Sequence, residues 1–200
     1  MKKILYKVIT LIVLLTGLTN VVHATNYAVI INAESNGEHN HIRYWNDCSA
    51  VYQTLLSKGF SQDHIYVAMS DGTDSHDDIM LENSNYESSP LDLDGDSYYD
   101  IRFAATRDDI ESIFYDTLSN KITEDDDLFI YTVGEGYVER LHFSYLNHPD
   151  PQYPLDPDSM SIYGPHYISS LVLWGEYHLM DISFARMLAH IQARTINIVM

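Results

Sequence analysis

Short, unbroken apolar runs are the feature that most narrows what this chain can fold into. Tyr27-Ala28-Val29-Ile30-Ile31, His64-Ile65-Tyr66-Val67-Ala68-Met69, Leu128-Phe129-Ile130-Tyr131-Thr132-Val133 and the final Thr195-Ile196-Asn197-Ile198-Val199-Met200 are each too short for an ordinary helix. They are rich in β-branched and aromatic residues, so they read as buried strands. Between them the spacing turns helical. Trp45, Cys48, Val51, Tyr52 and Leu55 recur every three or four residues from about Tyr44 to Lys58, with Gly59 ending the helix. Thr106, with Asp109 three residues on, caps a second helix whose buried stripe is Ile110, Ile113, Phe114 and Leu118. A third, near 182–194, carries Phe184, Met187, Leu188 and Ile191. Strands alternating with helices imply one α/β domain with a mostly parallel sheet.

The remaining segments read as connections. Asn32 to Arg43 is a loop, and residues 70–104 form a long one rich in Asp and Ser. Glu124-Asp125-Asp126-Asp127 is a polar turn. Residues 137–170 are expected to hold a hairpin near Leu141–Leu146 and an irregular insertion, with Leu171-Val172-Leu173-Trp174 a further strand. The start of the chain has the form of an export signal. Lys2, Lys3 and Lys7 precede an apolar run from Val8 to Leu18 that is short for a bilayer span, and Val22-His23-Ala24 fits a cleavage site. Cleavage after residue 24 would leave residues 25–200 as the working domain, secreted or periplasmic and without a membrane anchor.

Charge then limits the partners. The net charge is −18, and loss of the three signal lysines takes it to −21. Such a surface repels nucleic acid and anionic membranes, and it favours cations or basic substrates. The lone Cys48 excludes an internal disulfide framework, and its place on the apolar face of the first helix makes it a small buried hydrophobe. Sixteen Tyr and six Phe supply enough apolar area to argue against disorder.

In open α/β sheets, functional groups sit just beyond the carboxyl ends of the strands. Four blocks, in order and spacing, carry a resemblance there. They are Tyr27–Ile31 followed by Ser35-Asn36-Gly37; Arg43-Tyr44-Trp45-Asn46-Asp47; Asp126-Asp127-Leu128-Phe129-Ile130-Tyr131; and Ala193-Arg194-Thr195-Ile196-Asn197-Ile198-Val199-Met200. Together they resemble the legumain-like (C13) cysteine peptidases of the caspase-type fold. The resemblance implies a three-layer α/β/α sandwich, incomplete on its C-terminal side, and cleavage of peptide bonds after Asn or a basic residue. It places Glu135 where the family has its catalytic His, Gly136 at the oxyanion-hole glycine, Asn40 at the residue that orients the His, and Arg43 in the substrate pocket. The strand ending at Met200 would be the one that leads to the nucleophilic Cys.

Glu135 changes the chemistry. An imidazole titrates near pH 6.5 and can take and return a proton, whereas a carboxylate near 4.3 would take one from a thiol near 8.5 at a cost of about 6 kcal/mol. Its charge would also raise the thiol pKa. No His in the chain directly precedes a Gly, so no shifted His-Gly pair compensates. Glu135 is then either a base for water in some other hydrolysis or a solvated residue at a strand end.

A second signal lies in Asp92-Leu93-Asp94-Gly95-Asp96-Ser97-Tyr98-Tyr99-Asp100. Carboxylates at relative positions 1, 3, 5 and 9, with the Tyr98 carbonyl at position 7, are the hard oxygen donors that Ca²⁺ takes. The loop resembles the calcium loops of FG-GAP repeats, with Ser97 where Gly usually eases the turn. The alternative is a solvated acidic loop. His39 and His41 read as loop histidines rather than a zinc pair, since no third ligand accompanies them. Two functions follow. One is a calcium-stabilised, secreted peptidase relative impaired in catalysis; the other is a non-catalytic, calcium-dependent module that binds peptide or glycan.

Overall fold

The structure is a computed structural model and describes residues 24–140 and 167–200. The expected export signal (apart from Ala24) and the expected hairpin near Leu141–Leu146 lie outside the described residues. The elements run β1 (Asn26–Ala33), α1 (Ile42–Ser57), β2 (Ile65–Met69), β3 (Ile79–Met80), β4 (Tyr86–Glu87) and β5 (Ile101–Phe103). They continue with α2 (Arg107–Glu111), which widens into a π-helix over Ser112–Leu118 and a last turn at Ser119–Lys121. Then come β6 (Asp127–Gly134), β7 (Gly136–Arg140), β8 (Tyr167–Leu173), β9 (Tyr177–Met180), α3 (Asp181–Ala189) and β10 (Thr195–Val199).

Five strands form one parallel sheet in the order β10-β6-β1-β2-β5. β1 lies at its centre, and its alternation builds both faces. Ala28 and Ile30 point toward α1, where they pack with Cys48, Tyr52, Leu55, Ile65, Val67 and Met69. Val29, Ile31 and Ala33 point the other way, toward Ile110, Phe114, Leu118, Phe184 and Met187 of the α2 region and α3. Each fully buried Ile or Leu contributes roughly 1.5–3 kcal/mol of transfer free energy. The outcome is a three-layer α/β/α sandwich of the Rossmann-like kind. Among the described residues, no helix is long and apolar enough to cross a membrane.

The local chemistry explains the boundaries. At the start of α2 the Thr106 hydroxyl accepts from the Asp109 NH at 3.4 Å, as expected. Asp109 reaches back two residues further than a capping box requires, to the Ala104 NH at 2.8 Å. Gly59 takes φ +90° just beyond α1, a conformation cheap only for glycine.

Several expectations need correction. Residues 70–104 are not loop throughout, because β3 and β4 pair antiparallel and β5 joins the main sheet against β2. β5 is three residues long with a register shift, so its hydrophobic pattern is too brief to stand out. The 137–170 region is not irregular where it is described. β7 and β8 pair from Gly136 with Leu171 to Arg140 with Tyr167, and β8 pairs on with β9 to form a second, three-stranded antiparallel sheet. The last helix stops at Ala189, short of Arg194. The final strand forms and pairs with β6, but it is not buried. It is an edge, with Ile198, Val199 and Met200 at 41, 48 and 74 % exposure.

Candidate functional site

The sheet order locates the site. From β1 the chain winds outward to β2 and β5, then returns to the other side of β1 for β6 and β10. β1 and β6 therefore flank the topological switch point, where the crevice beyond the strand ends is open for a ligand. Glu34 and Ser35 follow β1 there, and Glu135 follows β6.

Gly134 makes the approach of the two strand ends possible. It has φ +132°, and a Cβ at that position would lie 2.0 Å from the Ala33 carbonyl oxygen. Freed from a side chain there, the Glu135 NH donates to the same carbonyl at 2.8 Å, and the Glu135 carbonyl accepts from the Val172 NH at 2.9 Å. One residue thus passes the chain from the parallel sheet to the antiparallel one. Gly136 begins β7, and a Cβ there would meet only the Ser170 carbonyl at 3.8 Å. The backbone demands glycine at 134, not at the expected oxyanion-hole position.

A cleft of about 640 Å³ opens beside these strand ends. Ser35, His39 and Glu135 form one wall, and Ser170, Glu176 and His178 form the wall opposite. The β8–β9 turn is tied in by the Gly175 NH, which donates to the Ser35 carbonyl at 2.9 Å. Each histidine has Nδ1 on a serine hydroxyl, His39 with Ser35 at 2.7 Å and His178 with Ser170 at 2.8 Å. Glu135 Oε2 lies 3.7 Å from His39 Nδ1, and both side chains are about half exposed.

Ser35, His39 and Glu135 do not make a hydrolase triad. That relay needs the hydroxyl on one ring nitrogen and the carboxylate on the other, whereas here both face Nδ1.

Behind Glu135 sits a carboxyl that the sequence motifs do not single out. Glu34 is 1 % exposed, and its Oε1 has no hydrogen-bond partner among the described residues. Burial, reinforced by the charge of Glu135, pushes its pKa up to about 7, against the opposing pull of Arg43 and of a bond from Tyr44. Arg43 reaches this group through Tyr44, donating from Nη2 to its hydroxyl at 2.6 Å with the guanidinium 4.6 Å from the ring centre. Arg43 therefore acts on the end of β1 through Tyr44, and it is not among the residues that line the cleft. Asn40 is fully buried but turned elsewhere. Its Oδ1 accepts from Asn32 at 2.8 Å, and its Nδ2 donates to Ser70 Oγ at 2.5 Å and to the Asp78 carbonyl at 2.9 Å. It knots the ends of β1 and β2 together rather than orienting residue 135.

The acidic loop is a separate place. Asp92 accepts from the NH groups of Asp94, Gly95 and Ser97 at 2.7–3.2 Å, led by Ser97, and these hold its carboxyl below the usual range. Ser97 adopts φ +72°, in the left-handed region that the calcium-loop pattern gives to glycine. Asp100 is buried, which raises its pKa, and it accepts from the Tyr52 hydroxyl at 2.5 Å and the Leu93 NH at 2.7 Å. Ser49 and Gln53 on α1 both donate to the Leu93 carbonyl, so the loop is pinned to the first helix. Carboxylate oxygens of Asp92, Asp94 and Asp100 come within 4.8 Å of one another. Asp96 bonds instead to the Tyr98 NH and to Gln62. These hard donors fit Ca²⁺, which takes six to eight oxygens. Each Asp100 oxygen keeps a second lone pair beyond its present bond.

Cys48 is fully buried against the sheet, and burial raises its thiol pKa far above the ordinary value. It is a core residue, as the helix spacing implied. Neither the protein-family models nor the curated proteins compared with this chain give a match.

Proposed function

We propose that this is an exported domain of the legumain-like, caspase-type family, impaired in peptide cleavage, which holds peptides at its strand-end cleft and is stabilised by Ca²⁺ at Asp92–Asp100. The observation that carries the reading is the adjacency of β6 and β10. They pair in parallel from Thr195 with Asp127 to Val199 with Tyr131, the neighbouring arrangement that a His strand and a Cys strand require. Both run toward the switch-point crevice, and Glu135 stands where the His strand would deliver its base. A carboxylate there cannot serve a thiol as imidazole does. The one thiol, Cys48, lies inside the core. When bound, Ca²⁺ would fix the loop between β4 and β5, with Asp92, Asp94 and Asp100 as its carboxylate ligands.

A non-catalytic, calcium-dependent binding module for peptide or glycan is the second reading. The open cleft, with polar groups converging from three segments, favours it. One experiment tests both. The protein is mixed with a degenerate peptide pool, with and without calcium, and bound and free peptides are identified by mass spectrometry. We expect intact peptides to be retained. Cleavage that is lost in Glu135→Gln would overturn the impaired reading, and failure to retain any peptide would overturn the peptide site.

A further inference from the structure

We infer that Glu34 keeps its proton as the donor end of a buried hydrogen-bond chain through Asn32 and Asn40 to Asp78, and that loss of this proton loosens the β3–β4 hairpin from the end of β1. The inference stands on the packing at the strand ends and does not need the cleft to bind a peptide.

The far end of the chain sets its direction. The Asp78 carbonyl can only accept, so Asn40 presents Nδ2 to it at 2.9 Å, and the same Nδ2 donates to Ser70 Oγ at 2.5 Å. Asn40 Oδ1 is then the acceptor left for Asn32 Nδ2, at 2.8 Å. Asn32 in turn has only Oδ1 to offer at the near end. That oxygen is buried without a donor among the described residues, and Glu34 Oε1 is orphaned in the same way.

The two orphaned oxygens belong to one face of one strand. Ala33 packs with the cluster that holds Phe184 and Met187 of α3, so alternation turns Asn32 and Glu34 to the α1 face. Asn40 meets the one there and Tyr44 the other. Residues two apart on a strand stand about 6.6 Å from each other along it, a span that a glutamate side chain crosses. Left as two acceptors, both oxygens would bear the cost of a buried, unmade bond. A single proton on Oε1 answers both, the carboxylic acid donating to the Asn32 amide oxygen.

The surrounding charges favour that proton. Burial is the main cause, Glu135 at the end of β6 adds to it, and Arg43 and Tyr44 on α1 oppose it without overcoming it. His39 faces Glu135 at 3.7 Å from the cleft side, where Glu176 also stands. Asp71, past the end of β2, is raised by its own burial and by Asp78 and Asp74. When the Glu34 proton leaves for solvent, the carboxylate can only accept. Asn32 must then turn Nδ2 toward Glu34, Asn40 must turn after it, and an amide oxygen comes to face the Asp78 carbonyl. The break falls at the root of the hairpin, where the Asp78 NH donates to the Glu87 carbonyl at 3.0 Å and the Met80 NH to the Asn40 carbonyl at 2.8 Å.

The test is an NMR titration of the full chain from pH 5 to 9, following the Glu34 carboxyl carbon and the side-chain amides of Asn32 and Asn40. All three are expected to move together, with one midpoint near 7. In Glu34→Gln, whose amide donates to Asn32 at every pH, the Asn32 and Asn40 signals should stay fixed. A Glu34 midpoint at the ordinary carboxylate value overturns the inference, and so does an Asn40 amide that stays still while Glu34 titrates. Hydrogen exchange at pH 8 reads the hairpin. The Asp78 and Met80 amides should exchange severalfold faster in the wild type than in Glu34→Gln, by a larger ratio than the Ile30 amide in the core of β1. An equal ratio at all three would show a general stability effect and overturn the link to the hairpin.

Discussion

The molecule has two acidic regions, and they are built in opposite ways. In the 92–100 loop the carboxylates are close in sequence and already answered by backbone. Asp92 gathers three NH groups, Asp94 and Asp96 one each, and Asp100 a tyrosine hydroxyl and an NH. At the strand ends, Glu135 and Glu176 line the cleft and Glu34 lies buried behind Glu135; the three come from three distant segments, and the buried one has an unsatisfied oxygen. The loop is a local structure that a cation would tighten. The cleft exists only because the sheet brings its parts together. Perturbing the fold should therefore damage the cleft far more than the loop.

Glycine 134 offers the sharpest break. Alanine there would drive a Cβ into the Ala33 carbonyl at 2.0 Å, at a left-handed φ, so β6 must pull away from β1. Gly134→Ala should lose at least ~3 kcal/mol of stability, measured by urea denaturation, and any peptide affinity with it. Gly95, also at positive φ, would have nothing within 4 Å of an added methyl. Gly95→Ala should cost only about 1 kcal/mol. Equal losses at the two glycines would remove the contrast between assembled and local sites.

Calcium comes next. A ligand that binds only the folded state stabilises by about 2.7 kcal/mol at a hundredfold excess over its Kd. For a domain of this size that is on the order of 5–10 °C in Tm. Calcium should raise the Tm by that amount, EGTA should reverse it, and Asp92→Asn should abolish the response while sparing binding at the cleft. A Tm indifferent to calcium in the wild type would make the loop a solvated turn.

Glu34 gives the strand ends behind the cleft their own pH signature. Its folded value of about 7 lies above the ordinary 4.5, so the native state keeps a proton that the unfolded chain releases. Its contribution to stability is therefore full below about pH 4.5, falls as the pH rises, and is lost above about 7. Glu34→Gln removes that slope. The variant should match the wild type near pH 4.5 and exceed it at pH 8 by on the order of 1–2 kcal/mol in denaturation curves. Asp71, also raised by burial and by the neighbouring charge of Asp78, should leave a residual slope in both proteins. Identical pH profiles would mean that Glu34 is not charged and desolvated as its surroundings imply.

The same contrast explains what is legible in the sequence. Strands that carry their whole hydrophobic run in one stretch are legible, as at Val29-Ile30-Ile31 and Leu128-Phe129-Ile130. So are Thr106 as a cap, Cys48 as core, and the spacing of Asp92, Asp94 and Asp100. Short elements held by their partners are not. β5 has three residues and exists by leaning on β2, and β9 exists by pairing with β8. β10 has an apolar sequence like that of β1, yet one is an edge and the other is central. Neighbours decide that difference, and composition does not record them. Glu34 has a signal, being the first residue past a buried strand. Glu176 has none beyond an ordinary Gly-Glu turn, because its place in the cleft wall depends on where the second sheet lands.

The smallest effect tests the loop's independence most finely. Ser97 holds φ +72°, and its NH donates to Asp92 Oδ2 at 2.8 Å. The backbone there is wrapped around Asp92 in the form a metal loop needs, at a conformational cost that a serine bears and a glycine would not. Ser97→Gly keeps the backbone donors and carboxylate acceptors of the loop and removes that cost. The gain is set against the greater freedom of glycine in the unfolded chain. It should stabilise the calcium-free protein by about 0.5 kcal/mol, tighten calcium severalfold if the turn is what limits closure, and leave peptide affinity at the cleft unchanged. A matching change in peptide affinity would show that the two acidic regions are coupled through α1, to which Leu93 is pinned by Ser49 and Gln53, and the local character of the loop would have to be given up.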